Sequence, residues 1–173
     1  KGAASADRVE EVLSQEEKIK EPQQPIELKE FSSVIEFKNV GFKYGEKTAL
    51  HNIDITIKKG DTIALVGHSG GGKSTLADLL PKFHEPTEGE VLIDGKNIKN
   101  CRSEDVRKML GVVTQHSILF NDTIYNNITL GTKNATEQQV IEAAKAANAH
   151  EFIEGLEKGY YTNIGESGSK LSG

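Results

Sequence analysis

The sequence predicts an α/β fold, and three observations carry that expectation. Residues 62–66 (TIALV) and 110–114 (LGVVT) are short apolar runs of the kind that form strands covered on both faces. Segments with a helical period alternate with segments of period two along one chain. Between the first apolar run and the helix expected after it lies a glycine-rich loop.

Residues 3–19 have the pattern of a helix with a narrow apolar stripe, Val9, Val12 and Leu13, and acids and Lys18 on its other faces. Pro22 and Pro25, separated by two glutamines, end it and mark a linker. From Val34 the period changes to two: Val34, Glu36, Lys38 and Val40 fall on one side, Ile35, Phe37 and Asn39 on the other. Strands are expected near 34–42 and 51–58, the second with Ile53, Ile55 and Ile57 on one face, followed by a turn at 58–61. After the loop a helix runs from Lys73 to about Leu80, stopped by Pro81. Residues 90–94 with Gly95 read as a strand and a turn, and Ser103 is a suitable N-cap for a short helix near 103–109. Thr136 and Gln139 stand at capping-box spacing and open an alanine-rich helix to about Asn148.

Composition narrows the function classes. With 173 residues, 36% hydrophobic and 27% charged, the chain has the balance of a soluble globular domain. Lys+Arg 21 against Asp+Glu 26 gives a net charge of −5 without a basic block, which argues against nucleic acid as a partner. Apolar runs fall short of the ~18 residues that would span a bilayer. The single cysteine, Cys101, excludes an internal disulfide, and the five histidines lack metal-ligand spacing.

The loop carries the chemistry. Gly67-His-Ser-Gly-Gly-Gly-Lys-Ser-Thr75 fits G-x-x-x-x-G-K-[ST], with a strand-like run before it and a helix-like run after it. Consecutive glycines let backbone N–H groups curl inward around a phosphate, and the helix start adds partial positive charge. Lys73 can reach the β/γ-phosphates, and the Ser74 hydroxyl can ligate Mg²⁺. By itself the loop specifies a nucleotide and nothing finer, because kinases, GTPases and motor ATPases share it.

Further segments narrow the family. Phe42-Lys-Tyr44-Gly45 precedes the loop, Val112-Val-Thr-Gln115 follows it, and Gly165-Glu-Ser-Gly-Ser-Lys-Leu-Ser-Gly173 leads into an LSG sequence. Together with the N-terminal helix they make nearly the whole chain resemble the ATPase domain of an ABC transporter, of the exporter type fused to a membrane domain. The resemblance implies a P-loop NTPase fold that is incomplete. It would comprise an antiparallel β subdomain, the first part of the RecA-like core and most of the helical subdomain. Residues 1–20 would be a helical tail from the membrane domain, 21–33 a linker, and 34–173 a partial ATP-binding domain with its helical subdomain at about 115–173.

The same resemblance implies ATP and Mg²⁺ as ligands. Tyr44 would stack on adenine, and Gly67, His68, Ser69, Gly70, Gly71, Gly72, Lys73, Ser74, Thr75 and Gln115 would complete the nucleotide site. Ser74 and Gln115 would face the metal, Lys73 would meet transition-state charge, and Gln115 would position water. Leu171, Ser172 and Gly173 would cap the ATP of a second ATP-binding domain in a head-to-tail dimer, and residues 116–120 and 123–128 would meet the chain's own transmembrane domain. The parent would be an integral membrane protein with this part soluble at the cytoplasmic face, coupling ATP binding and hydrolysis to export. Because the chain begins at Lys1 and stops at Gly173, it is expected to be a piece. The Walker B Asp with its catalytic Glu, the rest of the signature and the switch His are not in it, so these residues alone are expected not to hydrolyse ATP. The strands at 62–66 and 110–114 are expected to have bare edges and exposed faces. Two other readings are a catalytically inactive nucleotide-binding fragment and an ABC-type ATPase outside transport. The Gly165-Glu166 stretch, the N-terminal helix and the acidic balance argue against the last.

Overall fold

The computed structural model describes residues 8–10, 13–14, 19–114, 118–132 and 134–171. It divides into two compact units, Lys1–Val112 and Val113–Gly173.

The first unit is built on an antiparallel sheet in the order β2-β1-β3-β4, from β1 (Val34–Tyr44), β2 (Lys47–Lys58), β3 (Glu88–Ile93) and β4 (Lys96–Asn97). Ile53, Ile55 and Ile57 are half-buried and alternate with exposed neighbours, as the period of two requires. In β1 that period breaks. Asn39 takes a φ of 48°, donates its N–H to Asp54 Oδ1 at 2.8 Å, and accompanies a register shift between Phe37 and Val40. The bulge carries Val40 into the core with Phe37 and Phe42, although strict alternation put it beside Glu36 and Lys38. Asp94 and Gly95, with φ of 49° and 77°, turn β3 into β4, an Asp-Gly pair where both central residues need positive φ.

Helix α1 (Lys73–Leu79) buries Leu76 and Leu79 against the sheet core. Beyond it the chain is stapled by two cations, Arg107 on the surface and Lys82 in the interior. Arg107 donates to the carbonyls of Pro81 and Lys82, each at 2.8 Å, and the Lys82 amine, 1% exposed, donates to Cys101 O at 2.7 Å. Cys101 is fully buried in the same core, and that burial pushes its thiol pKa up.

Helix α2 (Ser103–Lys108) corrects one expectation. Its N-cap is Arg102, and Ser103 is the first helical residue. The Ser103 N–H donates to both carboxylate oxygens of Glu21, at 3.1 and 3.2 Å, so a side chain distant in sequence takes the place of a local cap. Glu21 belongs to the proline-containing stretch, which is fastened to this unit along its length. Ile26 N–H donates to Asn100 O at 2.7 Å, Lys96 Nζ to Glu27 O at 2.8 Å, and Leu28 is buried in the core. At its end Asp94 accepts from Ser32 N and Oγ, Ser33 N and Val34 N, at 2.6 to 2.9 Å.

The expected strands at 62–66 and 110–114 do not form. Both segments lack regular secondary structure, and Ile63, Val66, Val112 and Val113 are 49%, 92%, 53% and 94% exposed. A run suited to burial on both faces becomes a strand only beside other strands, and among the described residues none pairs with either. The bare strand edges expected from the sequence are therefore absent along with the strands.

The second unit is helical: α3 (Ile124–Thr129), α4 (Glu137–Ala146) and α5 (His150–Glu154) surround Ile124, Ala144, Ile153 and Ile164. The capping box forms, Thr136 accepting from Gln139 N and Gln139 accepting from Thr136 N. Of the N-terminal helix, residues 8–10 and 13 are helical, with Val9 and Leu13 exposed; the rest lies outside the described residues. No described helix is long and apolar enough to cross a membrane.

Candidate functional site

The glycine-rich loop lies between residue 66 and α1, against the start of β2. Gly72 is the N-cap of α1 with φ 80°; a Cβ there would stand 2.6 Å from Ala49 O and 2.8 Å from Leu50 Cδ2. Both the left-handed conformation and the close approach to β2 require glycine at this position. Lys73 crosses back over the loop, its Nζ donating to Gly67 O at 2.9 Å and His68 O at 2.7 Å. Gly71 N–H closes on His68 O at 3.2 Å. The loop is thereby folded around its own ammonium group.

A cavity of about 340 Å³ opens here, lined by Tyr44, Lys47, Thr48, Ala49 and residues 69–75. Among the described residues the two charged ones that line it, Lys47 and Lys73, are cations, and none is a carboxylate. Such a wall suits a polyanion. The exposed Ser74 hydroxyl offers one hard oxygen, and the described residues hold no group of three or more His, Cys, Asp or Glu that could cage an ion. That donor set fits Mg²⁺, which takes few protein ligands and completes its shell with phosphate oxygens and water. A larger cavity, about 520 Å³, involves Leu28, Met109 and ionic side chains of both signs, two of which, Glu27 and Lys29, pair with each other at 3.3 Å.

The structure thus gathers Tyr44 with Ser69, Gly70, Gly71, Gly72, Lys73, Ser74 and Thr75. Gly67 and His68 do not line the cavity; they hold Lys73 through their carbonyls. Gln115, Ser172 and Gly173 lie outside the described residues, and Leu171 packs against the core of the second unit. Sequence reasoning overlooked Lys47, Thr48 and Ala49. The hairpin that pairs Tyr44 with Lys47 contained the signal, since whatever borders Tyr44 must border its partner across the turn. His84, whose ring stands 5.5 Å from Tyr44, had no sequence signal.

The chain matches the ABC transporter family over residues 50–173. The ATP-dependent lipid A-core flippase of Syntrophus aciditrophicus (strain SB) is 46% identical over 172 residues, 99% of this chain and 29% of the flippase. A solved bacterial Atm1-family ABC exporter with ATP bound superposes with a TM-score of 0.87 at 38% identity, covering 99% of this chain and 30% of the exporter. The chain therefore spans about three tenths of the length of these relatives.

Proposed function

The chain belongs to the ABC transporter family, and on that premise we propose that it is ATP-binding machinery of an exporter, taking MgATP in the cavity at the glycine loop. The observation that carries the reading is Lys73, held by two carbonyls of its own loop beside a cationic cavity. Exchanging two neutral carbonyl acceptors for anionic phosphate oxygens turns the ion–dipole contacts of this ammonium into ion pairs. Backbone N–H groups of residues 69–73 would receive the phosphates, Ser74 would supply the protein ligand to the ion, and Tyr44 would pack against the base. When bound, Mg²⁺ neutralises charge on the phosphates. In the whole protein, Gln115 would position water and metal, and Leu171, Ser172 and Gly173 would meet the nucleotide of a second ATP-binding domain. A membrane domain of the same protein would couple these events to export at the cytoplasmic face.

The 173 residues by themselves would bind ATP without turning it over. Among the described residues no carboxylate lines the cavity to accept the proton of an attacking water, and a missing general base commonly costs ~10²–10⁴-fold in rate. Thermal unfolding with and without MgATP tests the binding. At ~100 times Kd the ligand should stabilise the chain by about 2.7 kcal/mol, and Lys73→Ala should abolish the shift. An absent shift, or one that Lys73→Ala retains, would refute the site. Phosphate release at a rate typical of intact ABC ATPases would refute the lack of turnover.

A further inference from the structure

Tyr44 is one of three rings. Its centroid stands 4.8 Å from Phe42 and 5.5 Å from His84, both nearly perpendicular, and Phe42 and His84 stand 5.1 Å apart, closing a triangle. The Tyr44 hydroxyl is 3.4 Å from His84 Nε2 and 3.4 Å from Thr75 Oγ1. A phenol hydroxyl can donate to one neighbour and accept from the other. Both contacts are long for hydrogen bonds, so ring packing supplies most of the restraint. Phe42 and Thr75 are buried, at 7% and 8% exposure, whereas Tyr44 is 47% exposed. His84 does not line the cavity, so it reaches the site through Tyr44.

We propose that His84 is a positioning residue for base recognition, fixing the tilt of the Tyr44 ring relative to the phosphate loop. The proposal rests on the reading of that loop as an ATP site. Backed by Phe42 alone, a half-exposed tyrosine would lose more rotamer freedom on stacking against a base. His84 removes that freedom beforehand, and the Thr75 contact ties the ring to α1, which starts at the loop's lysine.

The test compares Mg²⁺-ATP with Mg²⁺-tripolyphosphate, which engages the loop but has no base. Each is titrated against the chain, His84→Ala, His84→Phe, Tyr44→Ala and the double variant Tyr44→Ala/His84→Ala. His84→Ala should weaken ATP by about three- to tenfold and leave tripolyphosphate unchanged. His84→Phe, which keeps a ring, should recover most of that loss. In the Tyr44→Ala background, removing His84 should cost nothing further. If His84→Ala does not fold, His84→Gln gives the same comparison without the ring. Equal weakening of both ligands, an unchanged ATP affinity, or a full His84 effect without Tyr44 would overturn the proposal. A chain that binds tripolyphosphate but lacks the base-dependent difference defeats this inference alone; one that binds neither ligand defeats the loop reading as well.

Discussion

Asp94 joins two distant pieces of chain with one carboxylate. Burial pulls its pKa upward, but the donors from Ser32, Ser33 and Val34 outweigh that and hold it at about 2, below an ordinary value of 3.8. A depressed folded-state pKa contributes stability that is complete above the unfolded value and is lost as pH falls. The loss should therefore run from about pH 4 down to pH 2. Urea denaturation across that range should show the decline, and Asp94→Asn should flatten it while lowering stability at pH 7. An unchanged pH profile in the variant would show that the carboxylate does not carry the effect. The turn at Asp94-Gly95 was legible in sequence because its residue types are local requirements. What Asp94 binds was not, because its partners lie 60 to 62 residues earlier.

Helix ends show the same division between local and distant causes. Thr136 and Gln139 cap α4 within one turn, and their spacing sufficed to place it. Helix α2 is capped by Glu21, 82 residues before Ser103, and a sequence reading assigned the nearest hydroxyl instead. The hydrogen bond with the Ser103 side chain holds the Glu21 carboxyl below its ordinary pKa, against the upward pull of burial. Glu21→Ala should cost about 0.5–2 kcal/mol, the range of a lost N-cap, lowering the urea midpoint without changing the slope. Glu21→Gln, which retains an acceptor, should cost less. Equal stability of all three chains would mean that water satisfies Ser103 N–H equally well. Strand β1 was placed correctly and its faces were not, because the bulge at Asn39 depends on Asp54 in the neighbouring strand.

Across the whole chain, the antiparallel sheet and the phosphate loop could be read because their periods and glycines act locally. The segments 62–66 and 110–114 were misread because burial on both faces is a property of an assembly of strands. As it stands, the exposure of Val66 and Val113 is an aggregation liability. Val66→Thr and Val113→Thr should each cost less than about 0.5 kcal/mol and should lower light scattering at high concentration. A cost of several kcal/mol at either position would mean that the valine is packed. Cys101 has a different consequence. It is the chain's single thiol, fully buried, with its ionisation suppressed by that burial. A thiol reagent needs an accessible thiolate, so it can act only while the core around Cys101 is open. The native sequence thus contains its own stopwatch: without any introduced label, the rate of modification counts how often that core comes apart.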